Sequence, residues 1–347
     1  MKYPIYFKAA ILTNINDDLE IKEICFEGPL KVGQVLVKLS YSGICGKQLD
    51  EIRGVHGEDK YLPHLLGHEG VGTVIDIGPG VKKVNISDKV ILHWMKGSGI
   101  ESDPPLYNFN NEKINAGWVT TFNEFAVVSE NRITKFEGIE KPEYCLLGCA
   151  IPTAVGMVFN DLDAKPYDKI CIIGAGGVGS FVLQALKLTA IDSVTIIDKS
   201  ELALELAQKL NADHLLKIDD SDLRKKIDTI TNKKGFDKTI ITTGNKSAIE
   251  LGVEITRTPG ETILMGVPKH DETISVNANN VMHKKSLIGN LGGSIIPERD
   301  IPAYLNLIKK GKIDTQLSVN KIYNFDEINL AINNFKNGIA GRALIKF

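Results

Sequence analysis

The sequence predicts an α/β protein with two domains, one β-rich and one built on a doubly wound parallel sheet. The chain has 347 residues, which exceeds the roughly 250–300 residues at which a single hydrophobic core stops growing. Up to about Thr153, short apolar or alternating runs are separated by glycine, proline and asparagine, as in β-rich domains. From Asp168 onward, predicted strands alternate with predicted helices, which indicates βαβ units and a parallel sheet.

The predicted elements follow in order along the chain. In the first part the strands read QVLVKLSY, GVGTVIDIG and DKVILHW, each bounded by turn-forming residues. The second part opens with the strand KICII and the turn and helix GAGGVGSFVLQALKL. It continues with the strands SVTIID, FDKTIITTG and ETILMGV and the helices SELALELAQKLNA, DLRKKIDTIT and SAIELGVEITR. Ser200 is expected to cap the first of these three helices. The tail from about Leu291 predicts two helices, IPAYLNLIKKG and FDEINLAINNFKNG, and a closing strand, RALIKF.

Composition disfavours several classes of partner. The formal net charge is -2 with both signs interspersed, which argues against electrostatic capture of nucleic acid or of an anionic membrane. No run reaches the roughly 18–20 apolar residues of a membrane span, and Lys8 interrupts the apolar start before a signal sequence develops. The five cysteines are an odd number scattered along the chain, a pattern typical of free thiols or metal ligands in a reducing compartment. We therefore expect a cytoplasmic protein.

A glycine turn follows the first strand of the second part. Gly174, Gly176 and Gly179 form the pattern G-x-G-x-x-G between a strand and a helix, where glycine permits a tight turn and close approach of the backbone to a pyrophosphate. Asp198 ends the next strand, about 20 residues on, where an acidic side chain binds ribose hydroxyls. A glycine-rich turn without a ligand is the alternative. Asp198 repels a 2′-phosphate and so favours NAD over NADP, although the neighbouring Lys199 weakens this preference.

Cys45, His68 and Cys149 are residue types that bind zinc, but they lie too far apart for a local zinc-finger pattern. Taken alone, each is more typical of a buried core residue. Their flanks are distinctive, because GHEGVGTVIDIGPGV surrounds His68 and LLGCAIPTAVG surrounds Cys149, both ahead of the glycine turn. These motifs occur in the order typical of one family: the chain resembles the zinc-dependent medium-chain dehydrogenase/reductase family, which includes the alcohol and polyol dehydrogenases. The resemblance extends over essentially the whole chain, from GQVLVKLSYSGIC to GRALIKF.

The resemblance implies a GroES-like catalytic domain interrupted by a Rossmann dinucleotide-binding domain. The expected division is 1–152 with 291–347 for the GroES-like domain and 153–290 for the Rossmann domain. By the same resemblance, Cys45, His68 and Cys149 hold one catalytic zinc ion and leave a fourth position open for water or substrate. Glu69 corresponds to a glutamate behind the metal that can approach the zinc as an alternate ligand.

The resemblance also assigns residues to the coenzyme and to the substrate. Thr153 corresponds to the position beside the nicotinamide, and Arg342 to an arginine that reaches the coenzyme pyrophosphate. Further coenzyme contacts are expected at Gly177, Val178, Lys199 and Val267. Trp94, which follows the strand DKVIL, falls where the family lines its substrate pocket, and ordinary core packing is the alternative.

One departure from the family pattern concerns a second metal. Many members carry a structural zinc on a four-cysteine lobe, but the stretch from His93 to Trp118 contains no cysteine. The structural zinc site is therefore predicted to be absent. The loop at 95–117 that replaces the lobe has two open interpretations: a role in subunit contacts or at the mouth of the cleft, and a plain surface excursion.

Lys47 is the second departure, because the family commonly has serine or threonine two residues after the first cysteine. Alcohol oxidation releases a proton, so a proton route is required. Three interpretations of Lys47 stay open: a proton relay, since a nearby metal cation favours the neutral amine; binding of an anionic substrate group; and an ion pair with Asp50 or Glu51 on the same helix. Gln48 replaces the acidic neighbour usual in the family, which changes the charge behind the metal.

Together these features predict an oxidoreductase, a zinc alcohol dehydrogenase that passes hydride from a secondary hydroxyl of a polyol or sugar-like molecule to NAD. An S-hydroxymethyl thiol adduct and a simple primary alcohol stay open as substrates. The proton is expected to leave through Lys47 or ordered water, with His56 and His93 as candidate outer carriers or, alternatively, structural residues. A metal-free quinone or enone reductase and a catalytically inactive NAD-binding protein are the alternatives. The resemblance implies a homodimer or homotetramer whose partner is a small-molecule alcohol or carbonyl compound, with no nucleic-acid or membrane partner.

Overall fold

A computed structural model describes residues 1–55, 57–338 and 341–347. The N-terminal part is β-rich, as predicted. Its elements are β1 (Ile5–Leu12), β2 (Glu20–Phe26), β3 (Gln34–Gly43), α1 (Gly46–Ile52), β4 (His64–Leu65), β5 (Glu69–Ile77), β6 (Lys89–His93), β7 (Tyr107–Phe109), β8 (Glu112–Ile114), β9 (Phe125–Ser129) and β10 (Ile133–Lys135).

A buried connection leads into the central part, which alternates strand and helix as predicted. The connection consists of a 3-10 helix, Pro142–Gly148, then α2 (Ala150–Gly156) and a π-helical turn, Met157–Asp161. The central elements are β11 (Lys169–Ile173), α3 (Gly179–Leu186), β12 (Ser193–Asp198), α4 (Glu201–Lys209), β13 (His214–Lys217), α5 (Leu223–Thr231), β14 (Phe236–Ile241), α6 (Lys246–Ile255), β15 (Thr256–Leu264), α7 (Ala278–Met282) and β16 (Lys285–Gly289). The tail contains α8 (Pro297–Lys309), α9 (Thr315–Ser318), β17 (Val319–Asn324), α10 (Ile328–Lys336) and β18 (Arg342–Lys346). Short 3-10 turns lie at Glu130–Arg132, Gly292–Ser294 and Phe325–Glu327.

The central strands form a six-stranded parallel sheet in the order β13-β12-β11-β14-β15-β16. Renumbered from its first strand, this order is 3-2-1-4-5-6, that of the Rossmann fold. Ile170, Cys171 and Ile172 of β11 are fully buried, as expected for a parallel strand covered on both faces. The strand order reverses beside β11, so the carboxyl ends of β11 and β14 open a crevice of the kind in which such sheets bind ligands.

The strands of the N-terminal part belong to two further sheets. One is five-stranded, in the order β4-β1-β2-β7-β8, and the other has seven of the described strands, in the order β10-β6-β5-β3-β18-β17 with β9 also paired to β3. β18 runs antiparallel to β3 and pairs Leu344 with Gly43. The last strand of the chain therefore lies in a sheet of the N-terminal part. The domain boundaries after residues 152 and 290 stay predictions.

Packing fixes the glycine turn at the start of α3. Every residue of α3 is buried, and each buried side chain of valine or leucine size contributes about 1.5–3 kcal/mol. The helix is therefore anchored along its length, and its N-terminus faces the crevice of the parallel sheet.

Among the described residues, no single helix is long and apolar enough to cross a membrane. Pro142–Gly148 and Ala150–Asp161 pass the same test only as a pair, bent by 57° at their junction, and on length and composition alone.

Candidate active site

Three side chains of zinc-ligand type converge where three loops meet. Cys45 follows β3 and occupies the N-cap of α1, His68 directly precedes β5, and Cys149 directly precedes α2. One ligand atom of each side chain lies within 4.8 Å of the ligand atoms of the other two. The fold thus brings together three residues that the chain separates widely and that the sequence analysis selected as metal ligands.

Local backbone geometry delivers His68 to this point. Gly67 has a φ of 88°, a left-handed conformation that favours glycine. A Cβ atom at Gly67 would lie 2.9 Å from the backbone nitrogen of Phe122, so a larger residue would push the two segments apart. Gly67 therefore fixes the entry of the chain into β5.

The hydrogen bonding of His68 leaves one ring nitrogen available to a metal. Its Nε2 is buried and has no hydrogen-bond partner, whereas its Nδ1 lies 2.6 Å from the side-chain nitrogen of Gln48. The Oε1 of Gln48 accepts a hydrogen bond from the backbone N–H of Cys45, at 2.9 Å. A buried nitrogen without a partner calls for an explanation, and two sulfur atoms beside it complete a Cys2His donor set suited to zinc. The residues therefore fit a zinc ion.

The two thiols of this group differ in acidity. Hydrogen bonding from Cys149 lowers the pKa of Cys45 despite burial, and the positive charge of Arg342 acts in the same direction. The pKa of Cys149 is raised, first because it hydrogen-bonds Cys45 and then because it is buried. The first proton is therefore lost from Cys45, and metal binding would displace the second.

Glu69 and Arg342 form a buried ion pair next to the thiols. Glu69 begins β5 and Arg342 begins β18, and their side chains are 0% and 2% exposed. The Oε2 of Glu69 also accepts a hydrogen bond, at 3.2 Å, from the backbone N–H of Ala150, the residue after Cys149. On its other side, Arg342 packs against Gly177 of the glycine turn. Arg342 therefore links the Glu69 carboxylate, behind the candidate metal ligands, with the glycine turn, a double contact that the sequence analysis did not anticipate.

Trp94 and Thr153 border the thiol of Cys149. Both side chains lie within hydrogen-bonding reach of it, and the Thr153 hydroxyl is buried with no other partner. Trp94 is half-buried, and a Cβ atom at Gly292 would lie 3.0 Å from the edge of its ring. The indole therefore occupies the space between Cys149 and Gly292, and its role in substrate binding stays a prediction.

A cleft of about 480 Å³ extends from Cys45 to the glycine turn. Cys45 and residues 176–178 line it, together with Val267, which is 51% exposed. Residues 242–245 after β14 also line the cleft, and the sequence analysis missed them. They follow the carboxyl end of β14, the strand beside β11. Open parallel sheets bind ligands at this edge, so the position of these residues after β14 was enough to predict them.

Positive charge dominates this cleft. The cleft is lined by four basic residues and one acidic residue: Lys47, Arg53, Lys269 and Arg342, with Asp50. Guanidinium and ammonium groups pair with phosphate oxygens through charge-assisted hydrogen bonds. The cleft therefore has the charge that the diphosphate of a dinucleotide requires.

Asp198 holds the glycine turn in place. Its Oδ2 accepts a hydrogen bond from the backbone N–H of Ala175, at 2.7 Å, and its Oδ1 accepts one from that of Ser200, at 2.8 Å. Gly179 lies so close to the carbonyl oxygen of Gly174 that no Cβ atom fits there. Lys199 is exposed. The contacts of Asp198 and Lys199 with a coenzyme stay predictions.

A second cavity, of about 510 Å³, borders His68. Its polar lining includes Glu51, Asp59, His64 and Asn115. His64 contacts Asp59 through Nε2 and Oδ2, at 2.8 Å. The cavity thus offers several hydrogen-bonding groups close to His68, one of the candidate metal ligands.

The loop at 95–117 is an ordered part of the fold. It contributes β7 and β8, which pair with each other and extend the five-stranded sheet. In its first part, the backbone N–H of Ile100 donates a hydrogen bond to the Glu130 carboxylate at 2.9 Å. The backbone N–H of Ser98 donates one to the Glu298 carboxylate at 2.7 Å. Residues 115–117 line the cavity beside His68. The loop thus reaches the cavity beside His68, and its two interpretations stay predictions.

Lys47 lies between two pockets. It is half-buried on α1, and it lines both the coenzyme cleft and a smaller pocket of about 290 Å³ that also contains Asp50 and Glu51. Burial raises the pKa of Glu51, and the charges of His68 and Lys47 partly offset this rise. The amine is thus close enough to influence Glu51, and its three interpretations stay predictions.

The structure describes only one of the two histidines that are candidate outer proton carriers. His93 is fully buried, with Nδ1 2.7 Å from the carbonyl oxygen of Met95 and Nε2 3.0 Å from the hydroxyl of Thr134. Burial lowers the pKa of His93 to about 4, so it is neutral at physiological pH with both ring nitrogens engaged. This environment supports the structural alternative for His93. His56 lies outside the described residues.

Comparison with known proteins places this site in a family. The family model for the alcohol dehydrogenase GroES-like domain matches residues 31–138, and the model for zinc-binding dehydrogenase matches residues 177–310. The chain belongs to the zinc-dependent medium-chain dehydrogenase/reductase family. It is therefore an oxidoreductase that combines a GroES-like and a Rossmann domain, and the family and fold class predicted from the sequence are confirmed.

Individual medium-chain dehydrogenases are similar over their full length. The S-(hydroxymethyl)glutathione dehydrogenase of Escherichia coli O1:K1 / APEC is 27% identical, and the alignment covers 98% of this chain and 99% of that protein. The benzyl alcohol dehydrogenase of Acinetobacter calcoaceticus superposes with a TM-score of 0.89 at 27% identity, over 99% of both chains. An alcohol dehydrogenase zinc-binding domain protein from Burkholderia ambifaria superposes with a TM-score of 0.90 at 23% identity, over 99% of this chain and 100% of that one, and supports the fold alone.

Proposed function

We propose that this dehydrogenase binds one zinc ion per chain and uses NAD to oxidise a secondary hydroxyl of a polyol or sugar-like alcohol. One observation carries the proposal: Cys45 belongs both to the Cys45, His68 and Cys149 group and to the lining of the cleft that contains the glycine turn. A Lewis acid site and a dinucleotide site therefore adjoin, which is the arrangement that hydride transfer from an alcohol requires.

Each part of the reaction is assigned to a group in this chain. When bound, zinc would supply Lewis acidity at the substrate hydroxyl, and NAD would supply the hydride acceptor. Lys47 accepts the hydroxyl proton and passes it to solvent. Thr153 supports the nicotinamide, and Trp94 forms a wall that keeps water from the reacting atoms.

The preference for NAD is supported by charge. Arg53 and Lys269 supply positive charge for the diphosphate, whereas the carboxylate of Asp198 ends β12, where it repels a 2′-phosphate. Both coenzymes carry the diphosphate, so discrimination between them falls to Asp198, with Lys199 as the opposing charge.

The preference for a polar substrate is supported by the cavity beside His68. Glu51, Asp59, His64 and Asn115 provide hydrogen-bonding groups there, and a molecule with several hydroxyls can pair with them. Primary alcohols are the second candidate substrate class. They are favoured by the 27% identity to a benzyl alcohol dehydrogenase and to an S-(hydroxymethyl)glutathione dehydrogenase, and by the aromatic surface of Trp94.

Assembly is proposed through the free edge of the parallel sheet. β16 ends the strand order of that sheet, and four apolar side chains on it and on α7 are exposed: Val281, Met282, Leu287 and Ile288. An exposed edge strand with apolar neighbours is a ready pairing surface. This edge supports assembly as a homodimer or homotetramer, and the free thiols support a cytoplasmic location.

The substrate proposal is tested by initial rates of coenzyme reduction. The panel contains neutral polyols, their phosphorylated counterparts, benzyl alcohol and the hydroxymethyl adduct of glutathione, each with NAD and with NADP. We expect the highest kcat/KM with NAD and a neutral polyol. A higher kcat/KM for primary alcohols selects the second candidate. Reduction of quinones with no bound metal, or coenzyme binding with no turnover on any alcohol or carbonyl compound, contradicts the proposal.

A further inference from the structure

The side chain of Gln48 contacts two of the three metal ligands at once. Gln48 is fully buried in the first turn of α1. Its Oε1 accepts the backbone N–H of Cys45 at 2.9 Å, and its amide nitrogen lies 2.6 Å from Nδ1 of His68. The remaining ring nitrogen of His68, Nε2, is buried without a hydrogen-bond partner.

Metal binding changes what this amide must do. A neutral imidazole that binds a metal through Nε2 carries its proton on Nδ1 and donates it to a neighbouring acceptor. The N–H of Cys45 is also a donor. Two donors then face the two ends of one amide, which has a single acceptor oxygen and an NH2 group that only donates. In either orientation of the amide, one of the two donors meets another donor.

We propose that Gln48 is a positioning residue that sets the zinc affinity of the site, and that its amide makes the site hold zinc less tightly than a carboxylate at the same position would. A carboxylate has two acceptor oxygens, one for Cys45 and one for Nδ1 of His68, and its charge strengthens both hydrogen bonds. Groups that accept the second N–H of a metal-bound histidine change metal affinity by about 10–100-fold. The affinity for zinc is therefore tuned behind His68, on a residue that does not touch the metal.

This inference rests on the proposed function, since it concerns the zinc of that function. The test measures the zinc dissociation constant of coenzyme-free protein by competition with a chromogenic chelator, at one pH, for wild type, Gln48→Glu and Gln48→Met. The glutamate keeps the size of the side chain and adds an acceptor, whereas the methionine keeps the approximate size and removes the one acceptor oxygen that the amide offers. The urea denaturation midpoint of each variant reports whether the whole chain is folded, and NAD binding reports on the Rossmann domain.

We expect Gln48→Glu to bind zinc at least tenfold more tightly than wild type and Gln48→Met at least tenfold more weakly. Equal or weaker binding by a folded Gln48→Glu overturns the proposal. If Gln48→Glu does not fold, the zinc affinity of Gln48→Met is the test. A zinc affinity of Gln48→Met equal to that of wild type then overturns the proposal. A wild-type protein that binds no zinc overturns the proposed function as well, whereas a zinc-containing, active wild type with unchanged variants overturns this inference alone.

Discussion

The guanidinium of Arg342 forms an ion pair with the carboxylate of Glu69, and both side chains are buried. The two residues lie on β18 and β5, the strands on either side of β3 in the seven-stranded sheet. The pair thus joins the end of the chain to the strand that follows His68. It also offsets the negative charge of Glu69, which would otherwise lie unpaired beside two thiols.

This relationship predicts a large loss of stability when one partner is removed. Arg342→Met leaves the Glu69 carboxylate buried without its cation, and breaking such a pair costs about 3–5 kcal/mol. We expect a decrease of that size in the free energy of unfolding, measured by urea denaturation without coenzyme. The double variant with Glu69→Gln, which removes the unpaired charge, should recover part of it. A single variant within about 0.5 kcal/mol of wild type contradicts the structural role of the pair.

Lys47 is predicted to act as a proton acceptor. Lys47→Met keeps the approximate size of the side chain and removes the amine, so we expect kcat for alcohol oxidation to fall at least 100-fold, since acid–base groups contribute about 10²–10⁴. Lys47→Ser should retain more activity, because a hydroxyl can also relay a proton. Steady-state rates with saturating NAD provide the measurement. A loss confined to the KM for NAD would instead assign Lys47 to the positive charge of the coenzyme cleft.

Trp94 is predicted to limit the size of the substrate. Its ring fills the space between Cys149 and Gly292, so Trp94→Ala should enlarge the site next to the metal ligands. We expect the ratio of kcat/KM for a bulky secondary alcohol over a small one to rise at least tenfold, about 1.4 kcal/mol of discrimination. Trp94→Phe serves as the conservative control and should stay close to wild type. An unchanged ratio for Trp94→Ala would assign the indole to ordinary packing.

Glu298 is predicted to make the loop at 95–117 sensitive to acid. Burial alone would raise the pKa of Glu298, but hydrogen bonds with Lys83 and with the backbone of Ser98 outweigh it and lower the pKa to about 2. Because the ordinary value is 4.5, the ionised carboxylate stabilises the fold above that pH, and its contribution is lost as the pH falls towards 2.

The matching variant is Glu298→Gln. We expect it to lower the free energy of unfolding at pH 7 by about 1–2 kcal/mol. The difference from wild type should shrink between pH 4.5 and pH 2, because over this range the Glu298 carboxylate takes up a proton in the unfolded chain while it stays ionised in the folded one. Urea denaturation at pH 7 and at pH 3 measures both values. A difference that stays constant across this range would show that the charge of Glu298 does not act on the loop.

The parts of the fold that local sequence determines were predictable. The strand KICII, the glycine turn and the cap at Ser200 are local patterns, and the structure contains β11, α3 and a hydrogen bond from the backbone N–H of Ala203 to the Ser200 side chain. The family motifs were sufficient to select Cys45, His68 and Cys149 although they are distant in the chain.

The missed features depend on contacts between distant segments. The ion pair of Glu69 with Arg342 and the contact of Gln48 with His68 arise from the order of strands around β3, which no local pattern encodes. The loop at 95–117 was left open because Glu130 and Glu298, which hold it, lie well beyond it in the chain. His93 is assigned a structural role only once its burial is known.

The central claim is that Cys45, His68 and Cys149 hold one zinc ion that the reaction requires. Metal analysis of the purified protein, combined with the rate of NADH formation on an alcohol, tests it most directly. The matched variants are Cys149→Ala and, at a buried cysteine four residues away, Cys145→Ala. The account predicts one zinc per chain in wild type and in Cys145→Ala, and loss of both zinc and activity in Cys149→Ala. Full activity without zinc, or zinc retained equally by Cys149→Ala, would contradict it.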